Sequence, residues 1–142
     1  MKQQDKELLL KDLCARLPYG VIVEHVSGIR GTLHDLFVTW FYGKNDEISK
    51  YEANTMFFGD VACDVTKFKP YLFPLSSMTE EQRKELFHLS GIDIIYGKFY
   101  TNNEFTLEET LSGINWLLKN HFDIYDLIPR GLAIDTTNKN IY

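Results

Sequence analysis

Residues 69–82 read K-P-Y-L-F-P-L-S-S-M-T-E-E-Q, and they separate a half of the chain with strand-like patterns from a half with helix-like patterns. Pro70 and Pro74 each fix φ at about −65° and lack a backbone N–H, and each favours extended geometry in the residue before it. Thr79 and Gln82 have the spacing of a capping box, the reciprocal pair of hydrogen bonds that begins many helices. We therefore predict a stiff, extended crossover over 67–78 that ends where a helix starts.

The crossover carries several apolar side chains that need a surface to pack against: Tyr71, Leu72, Phe73, Leu75 and Met78. We therefore expect it to be pinned against a core. We interpret its most regular positions as a structural motif, in which prolines stiffen the chain, apolar side chains anchor it and a cap starts a helix: Pro70, Tyr71, Leu72, Pro74, Thr79 and Gln82.

The composition is that of a single globular domain with a substantial core, since the chain has 142 residues, 44% of them hydrophobic and 25% charged. The net charge of −5 disfavours a general nucleic-acid binder, because such proteins cluster cations against phosphates. No segment resembles a signal peptide or a membrane-spanning helix, so we expect a cytoplasmic protein with no membrane association. Cys14 and Cys63 lack metal-site spacing, and we interpret them as buried thiols.

Residues 5–17 have the periodicity of an amphipathic helix. Leu9 and Leu13 recur four residues apart on the predicted inner face, whereas Asp12 is assigned to the outer face. Asp5 is the predicted N-cap, because a carboxylate there can accept from the free N–H groups of the first turn.

Residues 20–66 show short runs of β-forming residues separated by turn signals such as Ser27-Gly28 and Gly59-Asp60. The runs predict four or five antiparallel strands. A meander of this kind fits either a small open sheet or an SH3-like barrel, and the pattern does not choose between them.

Residues 79–135 are predicted to be mainly helical, with a hairpin or an irregular excursion around Gly97. A second capping box, formed by Thr106 and Glu109, begins the last helix. Its predicted core-facing stripe is apolar at helical spacing and contains Leu107, Leu111, Ile114 and Leu118. Residues 136–142 are predicted to be a loose tail. The expected architecture is therefore α+β, with an N-terminal helix and two C-terminal helices packed against the sheet or barrel.

The densest group of metal-capable side chains lies directly after this helix, at His121, Asp123 and Asp126. A hard cation would accept the carboxylates and a transition-metal ion the imidazole. All three lie within six residues and no matching set occurs elsewhere, so the stronger interpretation is a helix C-terminus with aspartates that cap the next turn.

Four aromatic residues form another candidate surface, a stacking platform for single-stranded nucleic acid: Trp40, Phe41, Tyr42 and Tyr51. Few cations lie near them in the sequence, which favours a role in the core or in a protein contact.

Four blocks in a fixed order carry a family resemblance: D-L-C-A-R-L-P-Y-G-V at 12–21, K-P-Y-L-F-P-L-S-S-M-T-E-E at 69–81, I-N-W-L-L-K-N-H-F-D at 114–123 and L-I-P-R-G-L-A-I at 127–134. The chain resembles, over nearly its whole length, a family of small uncharacterised proteins from Bacteroides and related gut bacteria, often associated with prophages or mobile elements. The resemblance implies an intracellular bacterial or phage-derived protein without an established reaction. Relatives usually carry arginine where this chain has Phe73, which puts any role of a positive charge there in doubt.

These observations favour a non-enzymatic module that binds another protein and needs no cofactor, because the structural signals are complete and no catalytic groups converge. The partner would be bound through aromatic surface or a sheet edge. If any face is charged enough to select partners it is an acidic one, since residues 101–126 hold five carboxylates against Lys119 alone. The alternatives are a metal-dependent or hydrolytic enzyme that uses His121, Asp123 and Asp126, and a small nucleic-acid-binding barrel.

Overall fold

Three α-helices and two β-sheets make up the α+β fold seen in the computed structural model, which describes residues 1–39, 50–55 and 63–142. The helices are α1 (Gln3–Arg16), α2 (Glu80–Ser90) and α3 (Leu107–Lys119). The strands are β1 (Ile22–His25), β2 (Arg30–Thr39), β3 (Lys50–Thr55), β4 (Cys63–Asp64), β5 (Phe68–Leu72), β6 (Asp93–Ile95), β7 (Lys98–Tyr100) and β8 (Ile134–Asp135).

Local signals fix the starts of α2 and α3 as predicted. The Thr79 hydroxyl accepts from the Gln82 N–H, and the Gln82 side chain accepts from the Thr79 N–H in return. Thr106 and Glu109 repeat this reciprocal pair at α3. Helix α2 ends at Gly91, which adopts the left-handed conformation that glycine tolerates best.

Helix α1 begins earlier than predicted, and Asp5 is not its N-cap. Lys2 occupies that position without a side-chain cap, whereas Asp5 lies in the first turn and pairs with Arg130 at 3.2 Å. The helix passes at Leu17–Tyr19 into a short 3₁₀ turn that contains Pro18, and Gly20 follows with φ of 66°.

The larger sheet has the strand order β4-β3-β2-β1-β5-β8 among the described residues, so it is open rather than closed into an SH3-like barrel. Its pairs are antiparallel except β5 with β8, which makes the sheet mixed. A register shift between Leu33 and Asp35 interrupts the pairing of β2 with β3. The predicted hairpin turn at Gly59-Asp60 lies outside the described residues.

The first half of the predicted crossover is a strand of the sheet, which corrects the prediction. Strand β5 lies between β1 and β8, and Pro70 is opposite Val23 in it. Extended geometry was predicted because proline restricts the residue before it, but pairing with neighbouring strands was not predicted. Only β1 runs alongside Pro70, because the two-residue strand β8 pairs with Tyr71 and Leu72.

Two hydrophobic clusters form the core, and residues 69–82 contribute to both. Leu72 lies in the cluster under the large sheet, with Leu9, Leu13 and Phe68 among its members. Leu75 and Met78 lie in the cluster between α2, α3 and β6. The segment therefore joins the sheet to the helices, and Tyr71 and Leu72 are buried as predicted.

Four predicted orientations are wrong. Asp12 is fully buried rather than on the outer face, and Cys14 is exposed. Leu107 and Leu111 are 76% and 50% exposed, so the apolar stripe of α3 meets the core only in its later turns. Residues 136–142, predicted to be a loose tail, form a strap that is attached to the sheet at its two ends: Thr136 is fully buried and its N–H donates to Leu72 O, and the Tyr142 hydroxyl bonds to Ile22 N and Tyr71 O. Residues 137–140 between them are exposed.

Candidate functional site

The hairpin formed by β6 and β7 presents an unusual density of exposed apolar side chains. Ile95, Tyr96, Phe99 and Tyr100 are 41%, 100%, 40% and 52% exposed. Strands β6 and β7 pair only with each other among the described residues, so both outer edges are unpaired. Only Ile94 of the two strands reaches the core. The hairpin therefore exposes aromatic surface and free strand edges together.

The turn of this hairpin places an exposed tyrosine, Tyr96, in a strained backbone conformation. Tyr96 and Gly97 have φ of 51° and 73°, as a two-residue type I′ turn requires. Glycine adopts this geometry readily, but a tyrosine with positive φ is uncommon. The side chain of Tyr96 is fully exposed and does not contribute to the core. The sequence places a large aromatic group at a position where asparagine would be easier to accommodate.

Two grooves flank the base of the hairpin. One, of about 220 Å³, has Leu75, Met78 and Tyr96 among its lining residues. The other, of about 250 Å³, lies on the α2 side and is lined by Phe87 and His88 among others. Arg83 lines both grooves and holds Asp93 at 3.1 Å, which ties the first strand of the hairpin to α2. The hairpin thus projects between two grooves and is held to α2 by the ion pair of Arg83 with Asp93.

The sequence on either side of this hairpin has an excess of negative charge. Residues 79–112 contain seven carboxylates against three lysine or arginine side chains, a net charge of 3 − 7 = −4 within a protein whose net charge is −5. Exposed carboxylates include Glu80, Glu104 and Glu108. An acidic face that selects the partner stays a prediction, and the excess of carboxylates on which it rests extends N-terminally from residue 101 to the start of α2.

The three candidate metal ligands do not assemble into a site. Asp123 is buried, and its two carboxylate oxygens accept from Leu127 N and Ile128 N at 2.9 and 2.8 Å. His121 stacks on Tyr142, with ring centroids 3.8 Å apart, whereas Asp126 is exposed. Within the described residues no group of three or more His, Cys, Asp or Glu side chains is arranged to hold a metal ion. Asp123 caps the turn, as the alternative interpretation of this stretch predicted.

A buried ion pair lies close to His121. Arg16 Nε and Asp12 Oδ2 are 2.8 Å apart, both side chains have no exposure, and Arg16 Nη2 donates to Phe122 O at 2.6 Å. Asp12 Oδ1, Arg16 Nη1 and His121 Nδ1 are buried without a hydrogen-bond partner. Desolvation, and secondarily the Arg16 charge, lower the pKa of His121 to about 4. Desolvation raises the pKa of Asp12 despite its bond to Arg16. The cluster joins α1 to the loop after α3.

Tyr142 fastens the strap of residues 136–142 to the sheet. Its hydroxyl accepts from Ile22 N at 3.0 Å and donates to Tyr71 O at 2.8 Å. The ring is partly exposed, but the hydroxyl end reaches between β1 and β5, and this desolvation raises the pKa of Tyr142 to about 12. The ring of Phe73 lies 6.1 Å from that of Tyr142.

The outer side of the large sheet carries a second polar arrangement. The Tyr71 hydroxyl and Arg30 Nε both donate to Glu24 Oε2, the latter at 2.9 Å. These bonds, with that from Tyr71 the stronger influence, lower the pKa of Glu24. The guanidinium of Arg30 also lies over the Tyr71 ring, 5.2 Å from its centroid. Tyr71 was predicted only as an anchor, because nothing in the sequence shows that Glu24 and Arg30 reach it from a neighbouring hairpin.

The remaining candidates from the sequence have local roles or fall outside the described residues. Cys63 lies in β4 and is half-buried. Trp40, Phe41 and Tyr42, and with them the proposed stacking platform, lie outside the described residues. The exposed hairpin was missed as a site, although I-I-Y-G-K-F-Y at 94–100 contains its signal: a two-residue turn between strands too short to bury both faces.

Comparison of the chain with family models, with curated proteins and with solved structures finds no match. In the part of the chain that the structure describes, no helix has the length and apolar character needed to cross a membrane.

Proposed function

We propose that this protein is a non-enzymatic interaction module that binds another protein through the β6–β7 hairpin. The observation that carries the proposal is the exposure of Ile95, Tyr96, Phe99 and Tyr100 within six consecutive residues. Large exposed apolar groups that cluster, rather than scatter, mark interaction sites. Tyrosine is also enriched among the residues that dominate binding energy at protein interfaces.

The strained turn supports the same proposal. A positive φ at a residue other than glycine costs about 1 kcal/mol or more, and such strain persists mainly where function maintains it. Tyr96 gains no packing within the chain in return, because its side chain is fully exposed. A bound partner that covers the ring would supply the missing contacts.

The charge around the hairpin defines the partner. An apolar projection with carboxylates around it complements a segment that presents apolar side chains flanked by lysine or arginine. Glu80 and Asp93 line the groove beside Phe87, but both pair with Arg83, at 3.4 and 3.1 Å. The negative charge open to cations of a partner is therefore that of other exposed carboxylates in residues 79–112, such as Glu104 and Glu108. The binding of an extended segment along a free strand edge is one geometry that this arrangement permits.

A displayed library of random peptides tests the proposal without knowledge of the natural partner. Selection on the intact protein should enrich peptides in which apolar residues are flanked by Lys or Arg. For an enriched peptide, the double substitution Tyr96→Ser with Tyr100→Ser should raise Kd by about 30-fold or more, because central tyrosines at interfaces contribute about 2 kcal/mol or more. Isothermal titration calorimetry measures the change.

The matched control is Val26→Ser with Ile29→Ser, which removes two exposed apolar groups from the β1–β2 turn, at 70% and 45% exposure. This variant should bind the peptide like the wild type. A library that yields no peptide sensitive to the tyrosines would refute the proposal. So would a homodimer that the tyrosine substitutions dissociate, because the hairpin would then be covered by a second copy.

The other two hypotheses gain less support. A metal-dependent enzyme would need His121, Asp123 and Asp126 to converge, and Asp123 already caps two backbone N–H groups. A nucleic-acid-binding barrel would need a closed sheet and clustered cations around exposed rings. Membership of the Bacteroides family, with its phage or mobile-element origin, stays a prediction from the four sequence blocks.

A further inference from the structure

A groove on the outer side of the large sheet, remote in sequence from the hairpin, holds a pre-arranged arginine. It has a volume of about 220 Å³ and lies between strands β1 and β2 and the strap of residues 136–142. The lining residues are Ile22, Arg30, Gly31, Thr32, Asn140 and Ile141. Arg30 is the only charged group among them.

Two contacts hold the Arg30 side chain in place, and a third fixes its partner Glu24. Nε donates to Glu24 Oε2, the guanidinium plane lies over the Tyr71 ring, and Glu24 is itself fixed by the Tyr71 hydroxyl. The side chain still keeps 55% of its surface exposed. An arginine fixed through Nε has its two terminal nitrogens left for a forked pair of hydrogen bonds, the geometry that carboxylates and phosphates match.

The rest of the lining extends the same chemistry. Thr32 and Asn140 bring a hydroxyl and an amide to the groove, both with the capacity to donate to an anion. Ile22 and Ile141 supply an apolar wall. Lys139 lies near the same place, with Nζ 6.0 Å from the Tyr71 centroid, and adds positive charge. Glu24 offsets much of the charge of Arg30, so the attraction for an anion rests on the hydrogen bonds that the terminal nitrogens can donate and on the charge of Lys139.

We infer that this groove binds a small organic anion, with its carboxylate or phosphate on Arg30 and a short apolar group between Ile22 and Ile141. The volume suits a ligand smaller than a typical drug molecule. The Tyr71 ring is covered, with 1% exposure, so the stacking of a nucleobase on it is not the recognition mode. This inference concerns a different surface from the hairpin and does not depend on the proposed function.

NMR titration of the intact, isotope-labelled protein tests the inference through the Nε–Hε signal of Arg30. The probes are isovalerate, acetate, inorganic phosphate and the neutral isostere isovaleramide. Isovalerate should give a saturable shift and bind more tightly than acetate, and isovaleramide should give none. Tighter binding of phosphate than of isovalerate, again saturable at Arg30, would support the same site and identify a phosphate ester as the natural class.

Two substitutions and a control distinguish specific anion binding in the groove from non-specific attraction to surface charge. Arg30→Gln, followed through the backbone amides of residues 31 and 32, should weaken isovalerate binding by about 10-fold or more, since charge-assisted bonds are the strong ones. Thr32→Val keeps the shape and should weaken it by a few fold, which tests the groove even if the arginine variant folds poorly. Arg130→Gln removes another ion-paired surface arginine, the partner of Asp5, and should change nothing.

Two results would overturn the inference. One is the absence of a saturable shift at Arg30 with any anion at tens of millimolar. The other is an equal response of the backbone amides of residues 31 and 32 in Arg30→Gln and Arg130→Gln, because the anions would then only screen surface charge.

Discussion

At the scale of single residues, the buried pair of Asp12 and Arg16 is the most consequential feature of the interior. Removing two charges from water costs several kcal/mol per ion, and the attraction between them repays this only with good geometry. Here one bond at 2.8 Å joins the pair, a second at 2.6 Å joins Arg16 to Phe122 O, and one polar atom on each side chain has no partner. The contacts of the pair therefore do not fully offset the cost of burying its charges. The bond from Arg16 to Phe122 O nevertheless holds α1 against the loop after α3.

Arg16→Met should destabilise the protein by about 3–5 kcal/mol, because it leaves the Asp12 carboxylate buried without a counter-charge. The double variant Asp12→Leu with Arg16→Met should lose less than the single one, since both charges are then gone. Urea unfolding monitored by circular dichroism measures each change. The control is Arg130→Met, which breaks the more exposed pair with Asp5 and should cost about 1 kcal/mol or less. Equal losses for Arg16→Met and Arg130→Met would contradict the argument.

The lowered pKa of His121 makes stability depend on pH in a defined window. Its folded-state pKa of about 4 lies below the ordinary value of 6.5. The unfolded chain therefore binds a proton at this residue before the folded protein does, and stability falls as the pH drops from about 6.5 towards about 4. From pH 7 to pH 5 the loss due to His121 should be about 1–2 kcal/mol, a range that allows for its partial exposure.

His121→Asn isolates this contribution, because asparagine tolerates the positive φ of 63° at this position. Urea unfolding at pH 7 and at pH 5 should show that the variant loses less stability on acidification than the wild type. The same loss of stability in both proteins would mean that the pKa of His121 does not differ between the folded and unfolded states.

The residue scale also shows where sequence analysis fails for this chain. Asp12 was assigned to the outer face of α1 because aspartate is rarely buried without a partner. Its partner Arg16 is four residues away and visible, but the groups that enclose the pair include Phe122, more than 100 residues later. No periodicity within a helix reveals a counter-surface of that kind.

At the scale of elements, local signals were reliable where a few neighbouring residues decide the structure. Both capping boxes form as predicted, because each is closed by hydrogen bonds within four residues. The apolar stripe of α3 was less informative. Leu107 and Leu111 have the right spacing but lie beyond the edge of the core, so which face of the helix is buried depends on where α2 crosses it.

Gly113 marks that crossing and gives a test at the same scale. A Cβ there would lie 2.2 Å from Ser90 Oγ and 2.3 Å from Ser90 Cβ, so α2 and α3 approach too closely for any side chain. Gly113→Ala should destabilise the protein by about 1–3 kcal/mol by overpacking, although alanine is the better helix former by about 1 kcal/mol. Thermal or urea unfolding measures the change. Asn115→Ala, on the exposed face of α3, serves as control and should be neutral or slightly stabilising; stabilisation by Gly113→Ala would refute the close contact.

At the scale of the whole molecule, the parts that the sequence did not predict are the long-range ones. The α+β class and the role of residues 69–82 as a join follow from element order and composition. The pairing of β5 with β1 and β8, and the packing of residues 136–142, depend on contacts between distant segments. A seven-residue polar segment has no periodicity from which its attachment to a sheet can be inferred.

The attachment of that strap gives the last prediction. Tyr142 contributes one hydroxyl that bridges β1 and β5 and one ring that stacks on His121, so a single residue touches both the sheet and the loop after α3. Tyr142→Phe keeps the ring but leaves the Ile22 N–H without its acceptor, and it should cost about 1 kcal/mol. Tyr142→Ser removes both contacts and should cost more.

Hydrogen exchange distinguishes a strap that supports the whole fold from one that only covers the sheet. If Tyr142 stabilises both halves, Tyr142→Ser should accelerate exchange at protected amides of α3 as well as at Ile22, because the loop after α3 loses its stacked partner. Acceleration confined to Ile22 and its strand neighbours would instead show that the strap stabilises the sheet alone, and that the join between the halves rests on residues 69–82 and the pair of Asp12 and Arg16.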